Sequence, residues 1–222
     1  MSLFFDLLKV YLIHCVMIFI TPISTFNTML SSDKRLTDCI SVGGLLIFIG
    51  LSIGFSVASN EEFSTKLVPL LFLPLFLYVV ASKISWFITR VKVTADILVC
   101  QSVIFIGINC MVATIGFAFG FFLLKSYNPK LYSWMFNTDA SAITQTLISN
   151  QDAWEKQWNS NPGLKYFVFS IYTFGFLSLI YWLSIAVSIA KYLQRHWVIG
   201  LIAGIVSSML CLASGLILVF VF

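Results

Sequence analysis

A chain of 222 residues that is 59% hydrophobic and only 10% charged has too little polar surface to cover a water-soluble globule, which would carry about 25% charged residues. Lipid is therefore its expected solvent. The net charge of +4, with no long run of Lys or Arg, excludes a nucleic-acid track.

The N-terminal segment, 2–20, is the first element. Its apolar run from Val10 to Ile20 is short for a bilayer crossing, and Thr21-Pro22 then breaks it. Ser2, Asp6 and Lys9 fall on one face of a helix, which suits an amphipathic helix lying in the interface or half-inserted. A sixth span is the alternative. A signal peptide is disfavoured, because an acid stands in its leading region and no small-residue cleavage pattern follows.

Beyond it, four uncharged stretches of more than twenty residues each follow, and a fifth is broken only by Lys83. A helix needs about 20 apolar residues to cross the hydrocarbon core. The expected spans are Leu36–Ala58, Leu67–Ile88, Ile97–Leu124, Tyr166–Ala190 and Trp197–Phe222. The fold class is thus all-α, a polytopic bundle of five transmembrane helices plus the N-terminal helix. Residues 1–35 form an interfacial helix and linker, and residues 36–222 the transmembrane domain. Lys34, Arg35, Lys83, Arg90, Lys92, Lys191 and Arg195 all fall on one side of this arrangement. Basic residues of short loops stay cytoplasmic, so the N-terminus is expected inside and the C-terminus outside. Trp86 and Trp197 fall at the depth of a cytoplasmic aromatic belt.

Helices in lipid lack a hydrophobic drive to pair, so small residues must let them approach closely. Three stripes at helical spacing supply them: Gly43, Gly50, Gly54 and Ala58; Ser102, Asn109, Ala113, Gly116 and Gly120; and Gly200, Gly204, Ser207, Cys211 and Gly215. Pro69 and Pro74 remove backbone donors in the second span, and Pro74 is placed to kink it.

One sizeable extramembrane segment runs over 125–165, with aromatic edges at Tyr127, Tyr132, Trp134 and Phe136. Trp154 and Trp158, four apart, share a helical face. They are candidates for gripping a partner or a lipid headgroup. The plainer reading is a hairpin resting on the bilayer by its aromatic residues.

Chemistry-bearing residues are few. The five cysteines form no CxxC pair and read as small buried thiols. His14 and His196 lack the paired spacing of a metal or haem site, so no metal and no cofactor is expected. Asn109 falls near mid-bilayer and Gln101 nearer the cytoplasm, offset by about 80° on the wheel. An amide there is expected to tie two helices by a hydrogen bond, the alternative being a polar point in a lipid or substrate pathway. Asp96 and His196 could approach each other at the cytoplasmic face, the one pairing that an intramembrane enzyme could use.

The order of these features resembles the Ypt-interacting-protein (Yip) domain family of five-span membrane proteins. The resemblance rests on the N-terminal helix, the stretch Thr21-Pro22-Ile-Ser-Thr-Phe26-Asn-Thr-Met-Leu30, the Gly-rich first span, the Thr89-Arg-Val-Lys92 turn, and a closing pair of spans joined by a short basic turn. It implies a role in membrane traffic or organisation. The Asp-Leu-Tyr-Gly-Pro motif of the eukaryotic members does not occur here and the N-terminal extension is minimal, which fits a bacterial inner-membrane member, with a Golgi or ER membrane as the alternative.

The expected function is that of a non-enzymatic membrane organiser or adaptor. Its partners would be membrane lipids and a protein or a second copy of itself, with no nucleic acid. The alternative is a component of a small-molecule or lipid transporter or channel. It rests on Pro74, Gln101 and Asn109.

Overall fold

Helix boundaries in this chain follow its charges and its prolines. A computed structural model describes residues 2–57, 77–130, 132–133 and 158–221. Pro69, Pro74, Trp134, Phe136 and Trp154 lie outside the described residues. The described elements are helical: α1 Ser2–Ile20, α2 Pro22–Leu30, α3 Arg35–Val57, α4 Leu77–Ile88, α5 Ala95–Tyr127, α6 Pro162–Tyr192 and α7 Trp197–Val221. Three of them, α3 over Arg35–Gly54, α5 and α6, are long and apolar enough to cross a membrane.

Proline opens α2 and α6 at the first helical position, where its missing N–H would have had no intrahelical partner. Asp38 and Asp96 stand in the first turns of α3 and α5, and Lys125 and Lys191 in the last turns of α5 and α6. Each charge opposes the helix dipole at its own end.

The chain forms two compact units, one of Met1–Met111 with Leu177–Phe222 and the other of Val112–Phe176. Helix directions within the first unit follow from its contacts. Arg35 pairs with Asp96, Gly43 lies against Val103 and Gly107, and Gly50 against Cys110. Therefore α3 and α5 run the same way. Trp86 meets Gln101 while Tyr78 meets Phe105, so α4 runs opposite to α5. Gly200 meets Val187 and Gly204 meets Leu183, which makes α6 and α7 antiparallel.

Glycine sets the closest approaches. A Cβ on Gly107 would lie 2.8 Å from the Gly43 carbonyl oxygen, and one on Gly200 would lie 2.6 Å from Val187 Cα. Both obstacles are backbone, which cannot rotate away. Gly44, one residue from Gly43, faces open space. The α5 stripe expected from the sequence holds only in part. Ser102 bonds back to Leu98 of its own helix and Ala113 is exposed. The glycine of α5 that meets α3 is Gly107, which that stripe omits.

In the second unit, Gly116 and Gly120 stand at close contacts. Gly116 packs on Phe174, and Gly120 on Ser170 and Phe167. Phe121 and Phe167 meet at a tilt with centroids 5.1 Å apart, and the Lys125 ammonium stands 5.6 Å from the centre of the Tyr132 ring.

The turns after α4 and α6 share one geometry. Arg90 (φ 57°) and Gln194 (φ 55°) are both left-handed. In the first turn the Arg90 N–H donates to the Phe87 carbonyl and the Val91 N–H to that of Trp86. In the second, Gln194 donates to Lys191 and Arg195 to Ala190. This is the six-to-one and five-to-two pattern of a Schellman cap, in a position that glycine usually fills. A side chain there costs about 1–2 kcal/mol.

Two expectations follow for unfolding in mixed micelles. Gly200→Ala should lose about 1–3 kcal/mol because the α6 and α7 backbones must part, while Gly44→Ala should be neutral or gain up to about 1 kcal/mol. Equal losses would mean that the α7 glycines do not set that contact. Arg90→Gly and Gln194→Gly should each stabilise by about 1 kcal/mol, and a loss at either site would disprove the strained cap.

Candidate functional site: the polar ties of the first unit

Polar side chains inside an apolar bundle need partners, because an unpaired group in hydrocarbon costs several kcal/mol. In the first unit they gather at three levels. At the basic end, Arg35 of α3 pairs with Asp96 of α5 and donates from Nη1 to the Tyr192 hydroxyl of α6 at 3.1 Å. Three helix ends are thus held by one guanidinium, whose planar fork suits two acceptors at once.

Deeper, the Trp86 indole N–H donates to Gln101 Oε1 at 3.2 Å, and both side chains are buried. Trp86, expected in an aromatic belt, is only 2% exposed. The correction has a simple cause: Trp86 shares the inner face of α4 with Tyr78, Ser82 and Ser85, and the Gln101 amide offers its indole an acceptor. Trp197 is about half exposed, as a belt residue would be.

Deeper still, Trp182 of α6 donates to the Gly204 carbonyl at 2.9 Å and stands 2.8 Å from the Ser207 hydroxyl, both on α7. Its ring meets Phe105 at a tilt, with centroids 4.2 Å apart, and Tyr78 lies edge-on to Phe105 at 4.7 Å. Gly204 thus has two roles, admitting Leu183 to close contact and presenting its carbonyl to Trp182.

The candidate binding residues take separate places. Gln101 is a helix tie. Asn109, expected to make an interhelical bond at mid-bilayer, is half-buried, and its side-chain amide makes no hydrogen bond to a described residue. Gln101 takes the role assigned to it, since Gln101 faces the α4 indole whereas Asn109 lies about 80° away on the wheel. Gly54 and Trp158 are half-buried. Asp96 and His196, which could have approached each other, do not pair: Asp96 is held by Arg35, and His196 caps α7, its exposed ring accepting from the Val198 N–H at 3.4 Å. Among the described residues no group of three His, Cys, Asp or Glu could hold a metal ion.

Two features were not legible in the sequence. Ser82, fully buried, leaves its hydroxyl without a hydrogen-bond partner, although its carbonyl accepts from Ser85. The second is a set of thiol bonds. Cys15 donates to Val42 O at 3.6 Å, Cys100 to Arg35 O at 3.7 Å and Cys110 to Ile47 O at 3.7 Å. All three acceptors lie on α3. No protein-family model matches this chain, nor does any curated protein or solved structure.

Gln101→Leu strands a buried indole N–H and should cost about 1–2 kcal/mol in micelle unfolding. In a cycle with Trp86→Phe the coupling should be about 1 kcal/mol. Asn109→Leu should change stability little. A larger loss at Asn109 than at Gln101 would reverse the assignment.

Proposed function

We propose that this chain is a non-enzymatic integral membrane protein that organises its bilayer or serves as an adaptor for a protein partner or a second copy of itself, of the type its sequence layout resembles. In this reading it has five spans, α3, α4 with the residues preceding it, α5, α6 and α7. The Arg35–Asp96–Tyr192 end faces the cytoplasm, most simply that of a bacterial inner membrane.

The observation that carries the reading is how the inner polar groups are used. Arg35, Asp96, Tyr192, Trp86, Gln101, Trp182 and Ser207 bond to one another or to backbone across helices. Groups so engaged fix helix positions and have little left to offer a passing solute. The basic turns at Arg90 and Arg195 lie at the same end as the clamp, consistent with retention on the cytoplasmic side. One observation favours a transport component instead: the buried Ser82 hydroxyl without a partner, which a water or solute could satisfy.

Reporter fusions after Ile88 and after Phe222, together with mild-detergent purification of the full chain, test the reading. Expected are a cytoplasmic report after Ile88, an external one after Phe222, and a stoichiometric lipid or protein partner. A cytoplasmic Phe222 would overturn the orientation. Solute flux through reconstituted vesicles that Ser82→Ala abolishes would replace the adaptor with the transport reading.

A further inference from the structure

The path of α1 and α2 can be measured against α3 and α6 as rulers. The Tyr11 hydroxyl donates to Asp38 at 3.3 Å and the Cys15 thiol to Val42 O at 3.6 Å, each pair 27 residues apart. The two helices therefore advance side by side in the same direction. Adding 27 to 19 places Phe19 level with Leu46, which lies 11 residues beyond Arg35.

The second ruler agrees. Tyr181 stands edge-on to Phe19 with centroids 5.4 Å apart and donates to its carbonyl at 3.0 Å. Tyr181 also lies 11 residues from Tyr192, the partner of Arg35. At 1.5 Å per residue, both rulers put the end of α1 about 16 Å from the clamp. That is close to half of a hydrocarbon core of about 30 Å.

The chain then turns back. Thr21 has non-helical torsions, and Pro22 starts α2. The Ser188 hydroxyl donates to Ile23 O at 3.2 Å, and Ser188 is only four residues from Tyr192. Ile23 is thus already nearer the clamp than Phe19. Nine residues of α2 and the turn 31–34 return the chain to Arg35. Phe26, Met29 and Leu30 of α2 are buried. On α1, Val10, Ile13, Val16 and Ile20 share one face and are 46%, 52%, 59% and 67% exposed. Met17, on the same face, is 37% exposed, so this apolar face stays open from Val10 down to Ile20, the deepest residue, the reverse of what a helix lying in water would tolerate.

We propose that α1–α2 is a re-entrant wedge that enters one leaflet, stops at about mid-bilayer and returns to the side it came from, its exposed face covered by the acyl chains of that leaflet. This rests on the reading of α3 and α6 as membrane spans. Inserted helices of about 10 Å diameter enlarge only the leaflet they occupy. The protein consequently prefers membranes that are convex on the clamp side, as one-leaflet insertions generally do.

Nitroxide labels at Val10, Ile13, Ile20 and Ser32, one per full-length chain with native thiols replaced by alanine, test the path in vesicles through depth-dependent relaxation by oxygen and a water-soluble nickel chelate. Depth should rise from Val10 to Ile20 and return to the surface of origin at Ser32. A uniformly shallow profile would make α1 a surface helix, and a Ser32 label on the opposite side would make it a sixth span; either overturns the wedge. A label at Phe48 of α3 serves as control, and if that site were shallow the spanning reading itself would fail. Wild-type protein with its clamp side outward should be roughly threefold denser on vesicles of about 50 nm than of about 400 nm. Equal density would overturn the curvature preference.

Discussion

The contact on which the first unit depends is the meeting of two backbones at Gly43 and Gly107. Apolar side chains gain nothing by leaving lipid for one another, so helices associate only where dispersion contacts are dense and polar groups pair. Dispersion falls off steeply with distance, and only a residue without a side chain lets a carbonyl approach a neighbouring Cα. At this crossing the missing methyl group of Gly107 leaves room for Gly43 O and the Leu46 side chain together. Once α3 and α5 touch, Asp96 comes within reach of Arg35, and Cys100 and Cys110 find carbonyls on α3.

The remaining ties are arranged by depth. The charged clamp lies at the basic end, where the penalty for an ion is smallest. The amide–indole bond comes next, and the indole–carbonyl bond of Trp182 lies farthest in. This order keeps ions out of the region where they would cost most and still leaves each buried level with a specific bond. Specific bonds matter here because glycine contacts alone would allow helices to slide.

Much of this was legible in the sequence. Uncharged stretches bounded by Lys, Arg and Asp located α3, α5 and α6, because charge is what hydrocarbon excludes most strongly. Gly50, Gly116, Gly120, Gly200 and Gly204 fall at close contacts, since few other residues allow them. The failures have one origin, which is that a stripe on a helix does not say which neighbour it faces. Gly107 lies about 180° around the wheel from Gly116, so α5 uses two glycine faces where one was expected. Asn109 was favoured over Gln101 for its depth, but the position of the Trp86 indole decided which amide is bonded. The docking of α1 along α3 was not legible, because it rests on Tyr11 and Cys15, two residues with no periodic signal.

The three thiols bonded to α3 carbonyls have a practical consequence. A thiol with its sulfur packed on a neighbouring helix is shielded from alkylating reagents until that helix moves away. Cys15 reports on the α1–α3 seam, and Cys100 and Cys110 on the two ends of the α3–α5 seam. The rate at which each is modified therefore measures how often its seam opens, so the native chain carries its own set of probes for local unfolding within a bilayer.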